Sequence, residues 1–256
     1  MRPVLFKIGK LSIPGYGFMI AIGFVAAIIV GEYRAKKKGL DSEAIIDLAI
    51  IAILTGFLGA KILYILISFR EFLESPGDFL KTSGFVVYGG IISGVLCCML
   101  YCRIKKLKFL DYFDIVMPEV AIAQGFGRIG CFLGGCCYGI ESSFGFTVHN
   151  NQLLPSVNDV QRFPVQLLES LLNLILFFVL AHLLKKGLLK GKLFATYLLS
   201  YSVIRFFDEF LRGDTYRGFL LGLSTSQIIS IVIFICSIIY LIYQGKKNNT
   251  HNKTHL

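Results

Sequence analysis

The chain has 256 residues, of which 55% are hydrophobic and only 16% charged, with a mean hydropathy of +0.70. Soluble domains carry roughly a quarter charged residues, so this balance excludes an ordinary water-soluble globule. The net charge of +10 invites a nucleic-acid reading, but its distribution along the chain removes that reading, as shown below.

Apolar runs long enough to cross a bilayer predict helices at roughly 16–33, 45–67, 85–102, 113–133, 164–184, 194–210 and 220–243. The expected fold is all-α and polytopic, with about seven transmembrane helices and a small outward-facing cap. A single membrane domain over 1–245 is expected, followed by a disordered cytoplasmic tail over 246–256. The first run continues into Arg34-Ala35-Lys36-Lys37-Lys38 and has no small-residue cleavage site, so it reads as a retained span.

The loops around residues 34–38, 103–108, 185–192 and 246–253 hold 15 of the 26 lysines and arginines, against 8 on the opposite side. That bias orients the chain with its C-terminus in the cytoplasm and its N-terminus outside. The basic excess is topogenic, and no nucleic-acid partner is expected.

Taken in chain order, Gly15-Tyr16-Gly17 opens the first span, with Tyr16 at a membrane interface where tyrosine is common. Residues 68–84 alternate apolar and charged, which fits a short interfacial amphipathic helix broken at Pro76-Gly77. Tyr88-Gly89-Gly90 begins the third span; Gly90 and Gly94, four apart, fit close helix packing. Cys97, Cys98, Cys102 and Cys236 lie in apolar helices and read as buried, unreactive thiols.

The end of the fourth span reads Gly127-Arg128-Ile129-Gly130-Cys131-Phe132-Leu133-Gly134-Gly135-Cys136-Cys137-Tyr138-Gly139. An arginine at bilayer depth is costly and needs an anionic partner, and the natural anion there is a lipid phosphate. The competing partner is a carboxylate within the bundle: Glu119, Glu169, Asp208 or Glu209. The C-x4-C-C spacing of Cys131, Cys136 and Cys137 matches no common zinc template. Packing and an external disulfide both remain open for these thiols. Residues 134–163 form the expected cap, with short strands around 144–148.

Tyr201, Arg205, Glu209 and Arg212 recur at four, four and three residues and so share one helical face. Such a face belongs in a polar interior, with Glu209 orienting Arg205.

Taken together these pieces resemble the bacterial prolipoprotein diacylglyceryl transferases over nearly the whole chain. The resemblance rests on Ile13-Pro14-Gly15-Tyr16-Gly17, Tyr88-Gly89-Gly90, the Gly127-Arg128-Ile129-Gly130 signature with Gly139, and Phe163-Pro164 to Glu169. It continues through Tyr201, Arg205 and Glu209 to Leu223-Ser224-Thr225-Ser226-Gln227-Ile228. It implies transfer of the diacylglyceryl group of phosphatidylglycerol to the lipobox cysteine of prolipoprotein signal peptides, giving a thioether and glycerol phosphate. Arg128, Arg205, Tyr88 and Tyr16 are the implied catalytic residues. Arg128, Gly89, Gly90, Gly139, Tyr201 and Glu209 are the implied substrate-binding ones. No cofactor and no metal are expected, and the implied location is the bacterial plasma membrane.

The chain departs from the family pattern at four places. Tyr88 stands where the family has histidine, Cys131 and Gly134 where it has asparagine, and Cys136 where it has glutamate. A thiol acceptor is already a few per cent thiolate at neutral pH, so the missing histidine does not by itself forbid the reaction. The alternatives are a paralogue with a different acceptor, including lipid transfer through one of these cysteines, or a phospholipid- or lipoprotein-binding protein without turnover.

Overall fold

A computed structural model describes all residues except 10, 82–83, 148–157, 215–217, 221 and 254–256. It is mostly helical. Five of the helices described are long and apolar enough to cross a membrane. These are α1 (Gly15–Lys37), α2 (Glu43–Ile67), α5 (Val87–Ile104), α7 (Val165–Lys185) and α9, whose apolar part is Thr225–Lys246.

The other two expected spans are also helices, α6 (Phe109–Gly134) and α8 (Leu193–Asp208). Neither reads as a span by length and composition, for physical reasons visible in their residues. Helix α6 carries Asp111, Asp114, Glu119, Arg128 and an internal Pro118. Helix α8 has only 16 residues and carries Arg205 and Asp208. These are the polar helices of the molecule, and the site is built on them.

Two short helices, α3 (Phe69–Glu74) and α4 (Pro76–Lys81), occupy the stretch expected to be one broken amphipathic helix. The break falls at Ser75. Pro76 starts α4 instead of interrupting it, because a first helical position needs no N–H.

Small strands also appear. β1 (Val4–Ile8) pairs antiparallel with β2 (Leu11–Pro14), and Gly9 turns between them at φ +61°. β4 (Phe219–Leu220) pairs with β5 (Leu223–Ser224) just before α9. Between α6 and α7, β3 (Glu141–Phe146) bridges to Arg162. The strand expected around 144–148 therefore lies two to three residues earlier, and Val148 falls outside the described residues. Helix α9 runs Thr225–Lys253 and so continues past residue 246, where the tail was expected to begin.

Close Cα packing divides the chain into two compact units: Met1–Val30 with Phe113–Leu256, and Gly31–Tyr112. In the second unit, α2 and α5 pack through glycines on both helices. A Cβ on Gly89 would lie 2.4 Å from the Gly59 carbonyl oxygen, and one on Gly90 would lie 2.6 Å from that of Gly56. Ser93 Oγ donates to the Thr55 carbonyl at 2.7 Å, and the Tyr101 hydroxyl bonds Asp47 on the facing helix. Backbone against backbone leaves no side chain to give way. Gly89→Ala will therefore force the helices apart and cost about 1–3 kcal/mol, read as a lower melting temperature in detergent.

In the first unit, Ile115, Leu180, Leu184, Leu193 and Tyr197 are buried in the core. Asp114 of α6 accepts the backbone N–H groups of Gly191 and Leu193, the latter at 3.0 Å, and so caps the start of α8. This fixes the register of the two polar helices against each other.

Candidate active site

Helix α7 carries a polar stripe inside an apolar sequence. Gln166, Glu169, Ser170 and Asn173 recur at three- and four-residue spacing and are all buried. Ser170 Oγ donates to the Gly125 carbonyl of α6 at 2.8 Å, which holds α7 against the turn before Arg128. Arg128 Nη2 then meets Glu169 Oε1 at 2.9 Å; the arginine side chain is 19% exposed and the glutamate 2%. The internal carboxylate is thus the partner in this structure, Glu169 among the four candidates. One carboxylate oxygen engages one edge of a guanidinium that has five N–H donors, so the fork keeps capacity for an anion.

The Tyr201 hydroxyl lies 3.5 Å from the same Glu169 oxygen. Its ring stacks on Tyr197 at 5.9 Å and 7°, and the Tyr197 hydroxyl donates to Gln124 Oε1 at 2.8 Å. Arg205 Nη1 is 3.3 Å from Asp208, while its Nη2 is 2.7 Å from Glu209 and 3.1 Å from Ser226 Oγ of α9. Glu209 does sit on Arg205, as its spacing implied. Asp208 also faces Glu169, so the four charged groups run Arg128, Glu169, Asp208, Arg205. Two ionised carboxylates brought together offer each other only acceptors unless a proton lies between them, and Asp208 Oδ1 has no donor from any other group.

Arg212 is not on the helical face expected for it. Helix α8 stops at Asp208, a turn of 3-10 helix spans Glu209–Leu211, and Arg212 is extended at φ −87° and ψ 135°. It bridges antiparallel to Gly139 and is held by Asp214 through two bonds of 3.1 and 2.7 Å. Gly139 is packed by backbone: a Cβ there would come 2.2 Å from the Phe163 oxygen, and Arg162 Nη1 donates to its carbonyl at 3.0 Å. Gly139→Ala must part these strands, and we expect a loss of about 1–3 kcal/mol, measured by thermal unfolding.

The end of α6 folds the cysteines together. Gly135 has φ +74°, its N–H bonds the Phe132 carbonyl, and the Cys136 N–H bonds the Cys131 carbonyl at 3.2 Å. This is a Schellman closure, whose six-residue hydrogen bond lays Cys136 back over Cys131. Cys137 is itself left-handed at φ +56°, an uncommon conformation for a residue with a Cβ. The result is that the three sulfurs lie within 4.8 Å of one another. None is in a disulfide. Gln166 Nε2 anchors the turn by donating to the Cys136 carbonyl at 2.9 Å.

Electrostatics separates the two cysteines beyond the helix. Cys137 is held far below the usual thiol value by hydrogen bonds from Cys131 and Cys136, with Arg212 and Arg128 adding to this against desolvation. Cys136 gains from its bond to Cys131, but its bond to Cys137 and desolvation outweigh that and push it up to about 11. Of the remaining thiols, Cys98 and Cys102 are buried as expected, Cys97 is intermediate and Cys236 is exposed on α9.

Tyr16 opens α1 beside this cluster, within Coulombic reach of the three cysteines and of Arg128. Gly130 permits the approach: a Cβ there would stand 3.1 Å from the Tyr16 carbonyl oxygen. One unit thus gathers Tyr16, Arg128, Gly139, Tyr201, Arg205 and Glu209. Tyr88, Gly89 and Gly90 belong to the other unit; Tyr88 is exposed on α5, and the two glycines pack on α2. Asp208 was one of the four candidate carboxylates, but its place on Arg205, the Arg212–Asp214 pair and the convergence of the three sulfurs were not picked out from sequence. The α7 stripe was the signal that would have singled out Glu169.

A family model described as prolipoprotein diacylglyceryl transferase matches residues 3–243. The chain belongs to the prolipoprotein diacylglyceryl transferase family. A family member from Clostridium tetani, named phosphatidylglycerol--prolipoprotein diacylglyceryl transferase, is 43% identical over 93% of this chain and 96% of its own length. One from Clostridium perfringens, named with the same words and the number 2, is 40% identical over 99% of both chains. A third, from Oceanobacillus iheyensis, is 32% identical over 95% of this chain and 88% of its own. The family thus covers both units, so the transferase assignment is not confined to the signature segment.

Proposed function

We propose that this chain transfers the diacylglyceryl group of phosphatidylglycerol to the lipobox cysteine thiol of prolipoproteins, releasing glycerol phosphate. The names of its full-length relatives support this substrate pair. The observation that carries the chemistry is the Arg128–Glu169 pair, a half-buried guanidinium fixed beside a second arginine. Arg128 binds the lipid phosphate through the donors that Glu169 leaves, and Arg205 offsets the charge that develops as the phosphate departs. Glu169, Asp208 and Glu209 hold the two arginines. Tyr201 fixes Glu169 in turn.

Tyr16 and Gly139 are assigned to the donor site. Tyr88, Gly89 and Gly90 are assigned to the reaction on the family resemblance. The chain crosses a bacterial plasma membrane seven times, with α6 and α8 as its two polar spans, an outer N-terminus and a cytoplasmic C-terminus. Residues 134–163 cap the outer face.

The test is glycerol phosphate release from phosphatidylglycerol vesicles by purified protein, with a lipobox peptide, its Cys→Ala version and the Arg128→Ala enzyme. Release that requires both the peptide thiol and Arg128 is expected. Lipid binding without release would overturn the assignment in favour of a binding protein.

A further inference from the structure

The three-cysteine cluster is not accounted for by the lipid-phosphate site. Cys131, Cys136 and Cys137 come from a seven-residue stretch, are all reduced, and place their sulfurs within 4.8 Å of one another. The folding of this turn needs a left-handed Cys137 as well as the left-handed Gly135. Simple packing does not require three thiols to converge at the cost of a strained backbone.

Zinc bound to sulfur at about 2.3 Å has neighbouring ligands about 3.8 Å apart in a tetrahedron. Sulfurs already within 4.8 Å reach that spacing by moves of about 0.6 Å or less each, which side-chain rotation supplies. Three protein ligands leave one tetrahedral position open, the arrangement of a catalytic zinc rather than a structural one. Cys136 is on the exposed side of the cluster, so the open position is approachable. Arg212 and Arg128 lie within Coulombic reach of Cys137 and offset the negative charge of a thiolate-rich site.

We propose that Cys131, Cys136 and Cys137 form a zinc site whose fourth ligand is the acceptor cysteine of the substrate. This rests on the transferase reading and supplies a means of ionising the acceptor, whose thiol would otherwise be only a few per cent thiolate at neutral pH. A thiol that coordinates zinc is deprotonated, and its proton leaves to water. The zinc-bound sulfur then attacks the diacylglyceryl carbon bonded to the phosphate oxygen. The C–S bond forms as the C–O bond breaks, and the bonding pair leaves on the phosphate of glycerol phosphate beside Arg128. The thioether product is a weak, neutral ligand and departs from the metal. No electron is gained or lost overall, and one proton is released.

The experiment uses full-length protein purified in detergent without a metal-affinity tag. Wild type and Cys236→Ser are expected to hold about one zinc per chain, while Cys131→Ser and Cys137→Ser hold little or none. Cobalt(II) exchanged into the wild-type protein provides a second readout that does not depend on a variant folding. Adding the lipobox peptide is expected to raise the sulfur-to-cobalt charge-transfer absorption by about one third, as three thiolates become four. The Cys→Ser peptide should leave the spectrum unchanged. Protein free of metal that releases glycerol phosphate at the full rate would overturn the zinc site. A cobalt spectrum indifferent to the peptide thiol would overturn its role as fourth ligand. A spectrum that responds to the thiol without any glycerol phosphate release would support the site and defeat the transferase reading instead.

Discussion

Replacing Arg128 with alanine is expected to slow glycerol phosphate release at least about 100-fold, the usual cost of removing one preorganised donor from a developing anion. The reason lies in how the side chain is held. Its guanidinium is fixed by Glu169 at 2.9 Å and is 19% exposed, so it meets an anion without having to be ordered first. Arg128→Lys keeps the charge but loses the planar fork, because an ammonium cannot bind a carboxylate and a phosphate along two edges at once. Most of the activity should therefore be lost in the lysine enzyme as well. Initial rates with phosphatidylglycerol vesicles and lipobox peptide check both. A lysine enzyme at the wild-type rate would show that charge alone suffices.

Glu169→Ala should be the most destabilising single change at the site, by about 3–5 kcal/mol, since it strips a buried charge of its partner. The glutamate side chain is 2% exposed, so water cannot replace it on Arg128. Glu169→Gln has a milder expected outcome, less than half that loss. The amide oxygen still accepts from Arg128, and its NH₂ can donate to Asp208 Oδ1, which has no donor from any other group in the native arrangement. Melting temperatures of the two variants in one detergent decide the order. Equal losses would mean that the charge matters and the hydrogen-bond shape does not.

Much of this was legible beforehand because bilayer crossing and signature motifs are local properties. Among the described residues, hydropathy located the seven long helices to within about five residues at every end but the last, where α9 runs on to Lys253. It ranked α6 and α8 with the others, although Asp114, Glu119, Arg128, Arg205 and Asp208 set them apart from the five apolar helices. The charge at Arg128 was evident in sequence, but its partner was one of four carboxylates at separations of 9 to 81 residues. Spacing could not choose among them. The hairpin of β1 and β2 was missed because each strand is only four or five residues long, too short for alternation to register against a neighbouring helix.

The cysteines make the same point more sharply. Their C-x4-C-C spacing fits no ligand template, yet a helix-ending turn and a left-handed Cys137 bring all three sulfurs together. Templates assume a particular backbone between ligands, and this backbone is set by a C-terminal closure that the template does not contain.

A polytopic membrane protein, its family and the two arginines proposed for its site could all be read from the chain alone. Each of those follows from composition or from a contiguous motif. That Arg128 pairs with Glu169, that Arg212 leaves its helix to lie near Cys137, and that three thiols converge emerges with the packed fold. Ion pairs and metal ligands act over a few ångströms between segments far apart in the chain, so their choice waits on which helices come to lie side by side.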